Sequence, residues 1–258
     1  MLDGLKSLIR PTPLAWPYIY LKGKRVRPWS QNDESQMLAS LLHRFMIPRR
    51  FIEFGFGGWE FNCASLADAW DGLLIDADAY NVTIAKIVLP RRVKARRMWL
   101  TLDNLGTIRD FAGDNLGILS IDIDGNDFWF LKELITLRPA LIISEYNSIF
   151  GLRSITVPYD PAFDRQNYPF AAYFGASLPA LTCLAEENGY GLMAANDVNA
   201  FFVRNDLLGR NDKPLTPQTA YREHVYSGCP PVSELWGLIK DLPFTEIRSL
   251  SPSGCRSR

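Results

Sequence analysis

The sequence of 258 residues predicts an α/β fold, with an open, mostly parallel, Rossmann-like sheet of seven strands and helices on both faces. Three observations predict it. Short apolar runs alternate with helical segments, which is typical of parallel strands joined by crossover helices. Most of these runs are apolar at nearly every position, as strands covered on both faces should be. The last two runs are joined by a short turn at residues 196–199, which indicates a hairpin and therefore an antiparallel terminal strand.

Each element follows from local signals. Helices are predicted where apolar residues recur three and four positions apart, or where a capping residue or a proline marks an end. The predicted helices are residues 31–46, 60–69, 81–88, 127–137, 177–188 and 233–240. Strands are predicted where an apolar run is bounded by polar or glycine turns. The predicted strands are residues 51–54, 73–76, 93–102, 116–123, 140–145, 190–194 and 200–204.

The segments between these elements suggest a domain organisation. Residues 1–30 are rich in proline and aromatic residues and are expected to form an N-terminal arm, and residues 31–206 hold the main α/β domain. Within it, residues 148–176 have little periodicity, and loops of that length usually serve as substrate-binding or lid segments. Residues 207–258 are expected to be a partly disordered C-terminal extension.

Composition narrows the class of partner. Lysine plus arginine equals aspartate plus glutamate, at 28 each, so charge gives no argument for nucleic acid. The four cysteines are widely spaced, which favours reduced thiols in the cytoplasm over a zinc site or a disulfide framework. No apolar stretch predicts a membrane span or a signal peptide. The oligomeric state stays open.

The first predicted strand runs into a glycine turn, in the pattern Glu53-x-Gly55-x-Gly57. The second predicted strand ends in Asp76, 21 residues after Gly55. Parallel neighbouring strands place both features at one sheet edge. A glycine backbone can approach a ligand closely, and a carboxylate can accept both hydroxyls of a ribose. The pattern therefore predicts a cofactor built on a nucleoside.

A second group of polar residues follows the fourth and fifth predicted strands. Asp122 and Asp124 end one strand, and Glu145 and Asn147 end the next. Ligands of open α/β sheets bind outside these strand ends, and oxygen ligands of this kind suit Mg²⁺. We therefore expect Asp122, Asp124 and Glu145 to be catalytic, or to bind a metal together with Asn147. The alternative is that Asp124 or Asn126 caps the following helix.

The glycine turn and Asp76 resemble motif I and its partner in class I S-adenosylmethionine-dependent methyltransferases, which have a Rossmann-like sheet with an antiparallel last strand. Residues 120–127, 145–148 and 199–204 resemble a bacterial FkbM-like branch, associated with polysaccharide or secondary-metabolite synthesis. The resemblance implies that S-adenosylmethionine binds at Glu53, Gly55, Gly57, Asp76, Asp103 and Asn104. Here Trp59 replaces the family's third glycine, so the loop is expected to follow a variant path.

The implied activity is O-methyl transfer to a hydroxylated small molecule or glycan, with or without Mg²⁺. Two alternatives stay open: a Rossmann enzyme that binds NAD(P) or a nucleotide sugar, and a non-catalytic binding protein. His224 is a further candidate base. The sequence leaves open whether Tyr159, Tyr168 and Tyr173 line a sugar platform or pack within their own loop.

Overall fold

The computed structural model describes residues 15–23, 28–30, 33–225 and 227–248. Seven strands form one sheet and two short strands form another. Within these ranges the strands are β1 (Arg50–Phe54), β2 (Asp71–Asp76), β3 (Val93–Arg97), β4 (Ile118–Ile121), β5 (Leu141–Glu145), β6 (Ile155–Thr156), β7 (Tyr190–Ala195), β8 (Asn199–Arg204) and β9 (Thr245–Glu246). The α-helices of the described residues are α1 (Ala15–Gly23), α2 (Glu34–Arg44), α3 (Ala79–Val88), α4 (Gly106–Ala112), α5 (Asp127–Leu134), α6 (Leu178–Glu187), α7 (Pro217–Ala220) and α8 (Val232–Ile239).

The large sheet has the strand order β3-β2-β1-β4-β5-β8-β7. β8 pairs in antiparallel fashion with both of its neighbours, and the other neighbouring strands are parallel. The antiparallel strand is therefore β8, which is the last strand of the large sheet along the chain. It lies next to the edge strand β7 and not at the edge itself. This arrangement confirms the predicted fold class.

Helices cover both faces of the sheet because the strand residues alternate between two apolar clusters. One face, with Ile52 and Ile121 at its centre, packs against α4, α5 and α6. The other face, with Phe51 and Ile118 at its centre, packs against α2 and α3. The central strands are fully buried on both sides, which explains why their sequences are almost continuously apolar.

Two local predictions were wrong, and some short elements were not predicted. Residues 60–69 form turns and a short 3-10 helix (Ala64–Leu66) in place of a crossover α-helix. β3 ends at Arg97, five residues before the predicted end at residue 102. The predicted end of the strand is instead the start of a 3-10 turn (Leu102–Asn104), which is closed by a capping box with Thr101. Helix α4 was not predicted, since its seven residues are too few to show a helical period.

The segment 148–176 and the C-terminal residues share a third apolar cluster. β6 pairs with β9, and aromatic rings from both parts of the chain lie in contact, among them Phe150 with Trp236 and Phe244. Most of the predicted arm, at residues 1–14 and 24–27, and the terminal residues 249–258 lie outside the described residues. No helix in the described ranges is both long enough and apolar enough to cross a bilayer.

Candidate active site

The carboxyl ends of four parallel strands meet at one edge of the sheet. Phe54 of β1 is in register with Ile75 of β2 and with Ile121 of β4, and Ile121 is in register with Ser144 of β5. The residues that directly follow these positions therefore lie side by side, and they are Gly55, Asp76, Asp122 and Glu145. A cleft of about 640 Å³ opens above them, and all four line it.

Gly55 is required where β1 passes β4. Its backbone has φ +67°, and a Cβ atom at this position would lie 1.5 Å from the carbonyl oxygen of Asp122. Its N–H donates to the carbonyl of Ile75 at 3.1 Å. The glycine thus allows the turn to rest directly on the end of β4, and it joins the two halves of the cleft.

Asp76 faces the glycine turn. Its two carboxylate oxygens accept hydrogen bonds from the backbone N–H of Phe56 at 3.0 Å and of Asp78 at 2.6 Å. Burial raises the pKa of Asp76, and the two N–H donors oppose that effect. Each oxygen has a second lone pair, so the carboxylate can still accept two hydroxyl groups.

Glu53 lines the cleft, but both of its carboxylate oxygens are hydrogen-bonded to the backbone of the protein. Its side chain is buried, and its two oxygens accept from the backbone N–H of Asn62 at 2.6 Å and of Cys63 at 2.9 Å. The Asn62 amide donates in turn to Ser120 at 3.1 Å. These bonds hold the turn that replaces the predicted crossover helix. Burial raises the pKa of Glu53 from 4.5 to about 7.

This pKa predicts how stability depends on pH. The folded pKa lies above 4.5, so the folded protein binds the Glu53 proton more tightly than the unfolded chain does. The resulting stabilisation is complete below pH 4.5 and is lost as the pH rises to about 7. We expect the free energy of unfolding to fall by up to about 3 kcal/mol across this window. Urea unfolding of the wild type and Glu53→Gln at several pH values measures it.

The Glu53→Gln variant lacks the titrating group, so its stability should fall less across the same pH window. The variant Glu133→Gln is the matched control, because Glu133 is exposed on α5. Equal pH slopes for the wild type and Glu53→Gln would contradict the expectation.

Three carboxylates form a compact group at the other end of the cleft. One oxygen from each of Asp122, Asp124 and Glu145 lies within 4.8 Å of the other two. Asp122 and Glu145 are half-buried and Asp124 is exposed. Glu145 Oε2 is fully buried and has no hydrogen-bond partner among the described residues. The structure therefore brings together the three residues predicted to be catalytic.

The group carries unfavourable negative charge. Burial raises the pKa of Asp122 and of Glu145, and each also feels the charge of the other acids. Arg165 offsets part of this charge through an ion pair with Asp124. A hydroxyl-bearing ligand or a cation that binds here would relieve the remaining repulsion.

Three predicted site residues lie elsewhere. The amide of Asn147 is buried and donates to the carbonyls of Ala172 and Phe174 while its oxygen accepts from a backbone N–H. It therefore holds the 148–176 segment and does not join the acids. Asp103 and Asn104 are outside the cleft wall, in the turn after β3, where Asn104 closes the capping box. Asn126 makes no side-chain cap, although it precedes α5.

The 148–176 segment forms one wall of the cleft. Asn126 and Asp160 exchange two hydrogen bonds, at 2.7 and 3.2 Å, and the indole N–H of Trp99 donates to Pro161 at 2.9 Å. These contacts bring Phe163 and Arg165 to the cleft, together with the residues just after β3, Met98, Trp99 and Leu100. The sequence predicted this segment as a substrate-binding or lid segment, but it did not indicate Phe163 and Arg165, because the contacts that place them join positions more than 30 residues apart.

The three tyrosines of the segment have structural partners. The ring of Tyr168 lies 4.6 Å from that of Tyr173 and is stacked on Phe163 at 5.7 Å, and the Tyr173 hydroxyl donates to Pro243. The Tyr159 hydroxyl accepts from the N–H of Leu102 at 3.1 Å. None of the three lines the cleft, so the sugar-platform interpretation is not supported; Tyr168 packs within its own loop, whereas Tyr159 and Tyr173 also bond to residues outside it.

His224 lies in the cleft wall beside Asp197. Its Nδ1 atom is 2.9 Å from Asp197 Oδ2. His224 is a candidate named from the sequence, whereas nothing in the sequence indicated Asp197. The cleft wall holds seven carboxylates against Arg165 and this histidine, so it favours a ligand that is neutral or positively charged.

Comparisons with known proteins found similarity to solved structures only. No protein-family model matches the chain, and no curated protein matches it. Among solved structures, the N-terminal domain of EvdMO1 with SAH and D-fucose is 13% identical over 73% of this chain and 95% of that chain, with a TM-score of 0.44. Magnesium protoporphyrin IX methyltransferase from Synechocystis with SAH is 12% identical over 79% and 100%, with a TM-score of 0.42.

A TehB-like SAM-dependent methyltransferase from Corynebacterium glutamicum is 12% identical over 68% of this chain and 89% of that chain, with a TM-score of 0.43. Identities of this size do not carry a site or an activity from one protein to another, because unrelated functions share the same sheet. The site is therefore argued from its own residues.

Proposed function

We propose that the protein is a class I S-adenosylmethionine-dependent O-methyltransferase that acts on a hydroxylated small molecule or a glycan. The observation that carries the proposal is one continuous cleft, with the glycine turn and Asp76 at one end and three acids at the other. The first end suits a nucleoside cofactor, and the second suits an acceptor with hydroxyl groups. In a methyl transfer these two ligands must meet.

The residues at the first end fit the cofactor. Asp76 offers two carboxylate oxygens that can accept the ribose hydroxyls, and the backbone of Gly55 and Gly57 lines the adjacent cleft floor. Met98 and Leu100 provide apolar wall where the sequence resemblance had placed Asp103 and Asn104. The excess of carboxylates favours a sulfonium cation over a dinucleotide, which carries two phosphates.

The acids at the second end would touch the acceptor, which makes them catalytic in this proposal. Asp122, Asp124 and Glu145 all line the cleft, so carboxylate oxygens of this group can accept hydrogen bonds from a ligand hydroxyl. The same three oxygens fit Mg²⁺, a hard cation that prefers carboxylate ligands. A bound Mg²⁺ would lower the pKa of a coordinated hydroxyl. Asn147 is not part of this proposed set.

The fold contributes position more than chemistry. The register of β1, β2, β4 and β5 places the two ends of the cleft on one rigid sheet edge. The 148–176 wall, held by Asn126 and Trp99, forms one side of the cleft. Holding two reactants in line for displacement supplies much of the rate in such a reaction.

The acceptor class follows from the charge of the cleft and from the sequence resemblance. The cleft is negatively charged, which disfavours phosphorylated acceptors and favours neutral or amino-bearing polyols. The resemblance of residues 120–127 to FkbM-like methyltransferases supports a sugar, as in polysaccharide synthesis in the cytoplasm. Of the two alternatives, an NAD(P) or nucleotide-sugar enzyme is disfavoured because its ligand carries phosphates, whereas a non-catalytic binding protein is distinguished by the absence of turnover.

Calorimetric titration tests the cofactor assignment. The wild type should bind S-adenosylmethionine and S-adenosylhomocysteine, and Asp76→Ala should weaken both by about 30-fold through loss of charge-assisted hydrogen bonds to the ribose. Asp71→Ala is the matched control, because Asp71 begins the strand that Asp76 ends and lies outside this cleft. Binding of NAD with no response to either sulfur compound would overturn the proposal.

A further inference from the structure

The strand β3 forms one edge of the large sheet and is strongly basic. Five of the seven residues 91–97 are arginine or lysine, and all five are exposed. Within the described part of the chain, none of the five forms an ion pair. Because acids and bases balance in the whole chain, this basic stripe is a local excess of charge. Its members are Arg91, Arg92, Lys94, Arg96 and Arg97.

The stripe presents its charges at a regular pitch. Val93 and Ala95 are buried in the apolar cluster that packs against α3. Side chains alternate between the two faces of a strand, so Lys94 and Arg96 project from the opposite face. Two residues of strand span about 6.6 Å, which is therefore the spacing of these two positive charges.

A groove of about 390 Å³ continues this face of β3 toward α4. Two guanidinium groups in its wall are fixed by backbone carbonyls: Arg50 donates to Ala112 at 3.3 Å, and Arg92 donates to Ala69 at 3.1 Å. A carbonyl positions a guanidinium group without neutralising its charge, so the groove keeps an excess of positive charge. Its lining residues are Arg50, Asp71, Arg92, Lys94, Asp110 and Phe111.

The outer backbone edge of β3 is unpaired. The N–H of Gly72 on β2 donates to the Arg92 carbonyl at 3.2 Å. Successive strand residues direct their backbone groups to opposite sides, so Ala95 and Arg97 direct theirs away from β2. No described residue pairs with β3 on that side. The strand therefore offers hydrogen-bonding groups to a further strand.

We propose that the β3 edge docks an acidic, extended segment of a partner protein, which adds to the large sheet as a further strand. An added strand has the same pitch as β3, so acids at every second position would face Lys94 and Arg96. Its backbone would pair with Ala95 and Arg97. The basic stripe lies outside the cleft, so this docking does not depend on the proposed methyl transfer.

Other occupants match the surface less well. A second copy of the chain would bring equal charges opposite Lys94 and Arg96, which is unfavourable. Residues 1–14 contain one acid, Asp3, and residues 249–258 contain none, so neither segment supplies the complementary charge. The stripe includes no aromatic side chain on which a nucleic-acid base could stack. Its apolar side chains are buried, so it has none to insert into a bilayer.

Fluorescence anisotropy with a synthetic peptide tests this docking. The probe is a short labelled peptide in which glutamate alternates with valine and threonine. A scrambled peptide of the same composition, and one with alternate backbone nitrogens methylated, should each bind at least about tenfold more weakly. Hydrogen exchange of the Ala95 and Arg97 amides should slow in the complex. Equal affinity for the scrambled peptide, unchanged exchange, or tighter binding to phosphatidylserine vesicles or oligothymidylate overturns the proposal.

Charge reversal supplies the matched variants. Lys94→Glu/Arg96→Glu should bind the acidic probe at least about tenfold more weakly and should instead bind a peptide with lysine in place of glutamate. This exchange of preference separates a loss of charge complementarity from a loss of fold. Arg210→Glu/Lys213→Glu makes the same change in net charge at exposed positions and should bind as the wild type does. Equal losses in both double variants overturn the proposal.

Discussion

Replacing Gly55 by alanine is expected to lower the free energy of unfolding by more than about 3 kcal/mol. The added methyl group would lie 1.5 Å from the Asp122 carbonyl oxygen, and the residue would be held at φ +67°. Both neighbours at this point are backbone, so neither side can move without shifting a central strand end. Urea unfolding followed by tryptophan fluorescence measures the change.

Gly106→Ala is the matched control for this substitution. Gly106 begins α4, and a Cβ atom there would meet nothing within 4 Å, so its stability should change by less than about 1 kcal/mol. The Gly55 variant should also lose cofactor binding, because the glycine turn and Asp122 would be pushed apart. A Gly55→Ala protein as stable as the wild type would contradict the close approach of β1 and β4.

Replacing Asp122 by asparagine is expected to stabilise the protein while it abolishes turnover. The substitution removes one of three crowded carboxylates, and its amide can donate to Glu145 Oε2, which has no hydrogen-bond partner among the described residues. We expect a gain of roughly 2 kcal/mol at pH 8 and a loss of methyl transfer of at least about 100-fold. Thermal unfolding and S-adenosylhomocysteine formation measure the two effects.

The same variant tests the metal. Mg²⁺ should raise the melting temperature of the wild type by neutralising the acids, and this increase should disappear in Asp122→Asn. Asp103→Asn is the control, because Asp103 is exposed and outside the cleft. If Asp122→Asn kept full turnover, Asp122 would have no part in the reaction. If Mg²⁺ does not change the melting temperature of the wild type, the acids bind the acceptor and do not bind a metal.

Most of the sheet could be predicted because each strand is an apolar run with its own boundaries. The exceptions are informative. Residues 60–69 have the composition of a helix, yet buried Glu53 takes the backbone N–H groups of Asn62 and Cys63, and the chain follows that carboxylate. The competition between a helix and one buried acceptor is decided by tertiary contacts, which periodicity does not record.

The residues of the candidate site also fall into a group that could be predicted from the sequence and a group that could not. Asp76, Asp122, Asp124 and Glu145 could be predicted because strand ends converge at one sheet edge, a property that follows from strand order alone. Their non-local partners, Arg165 and Asp197, could not be predicted, since they reach the cleft from the 148–176 segment and from the joint between β7 and β8. Asn147 shows the converse case, because a residue two positions past a strand end has already turned into the fold.

The placement of β8 between β5 and β7 has a consequence for synthesis of the chain. β5 pairs with β4 on one side and with β8 on the other, and its residues Leu141 to Ser144 are all buried. Until residues 199–204 leave the ribosome, β5 is an unpaired apolar edge of the kind that recruits other chains. The growing domain therefore carries an unpaired apolar strand edge for more than 50 residues of translation, until β8 pairs with it.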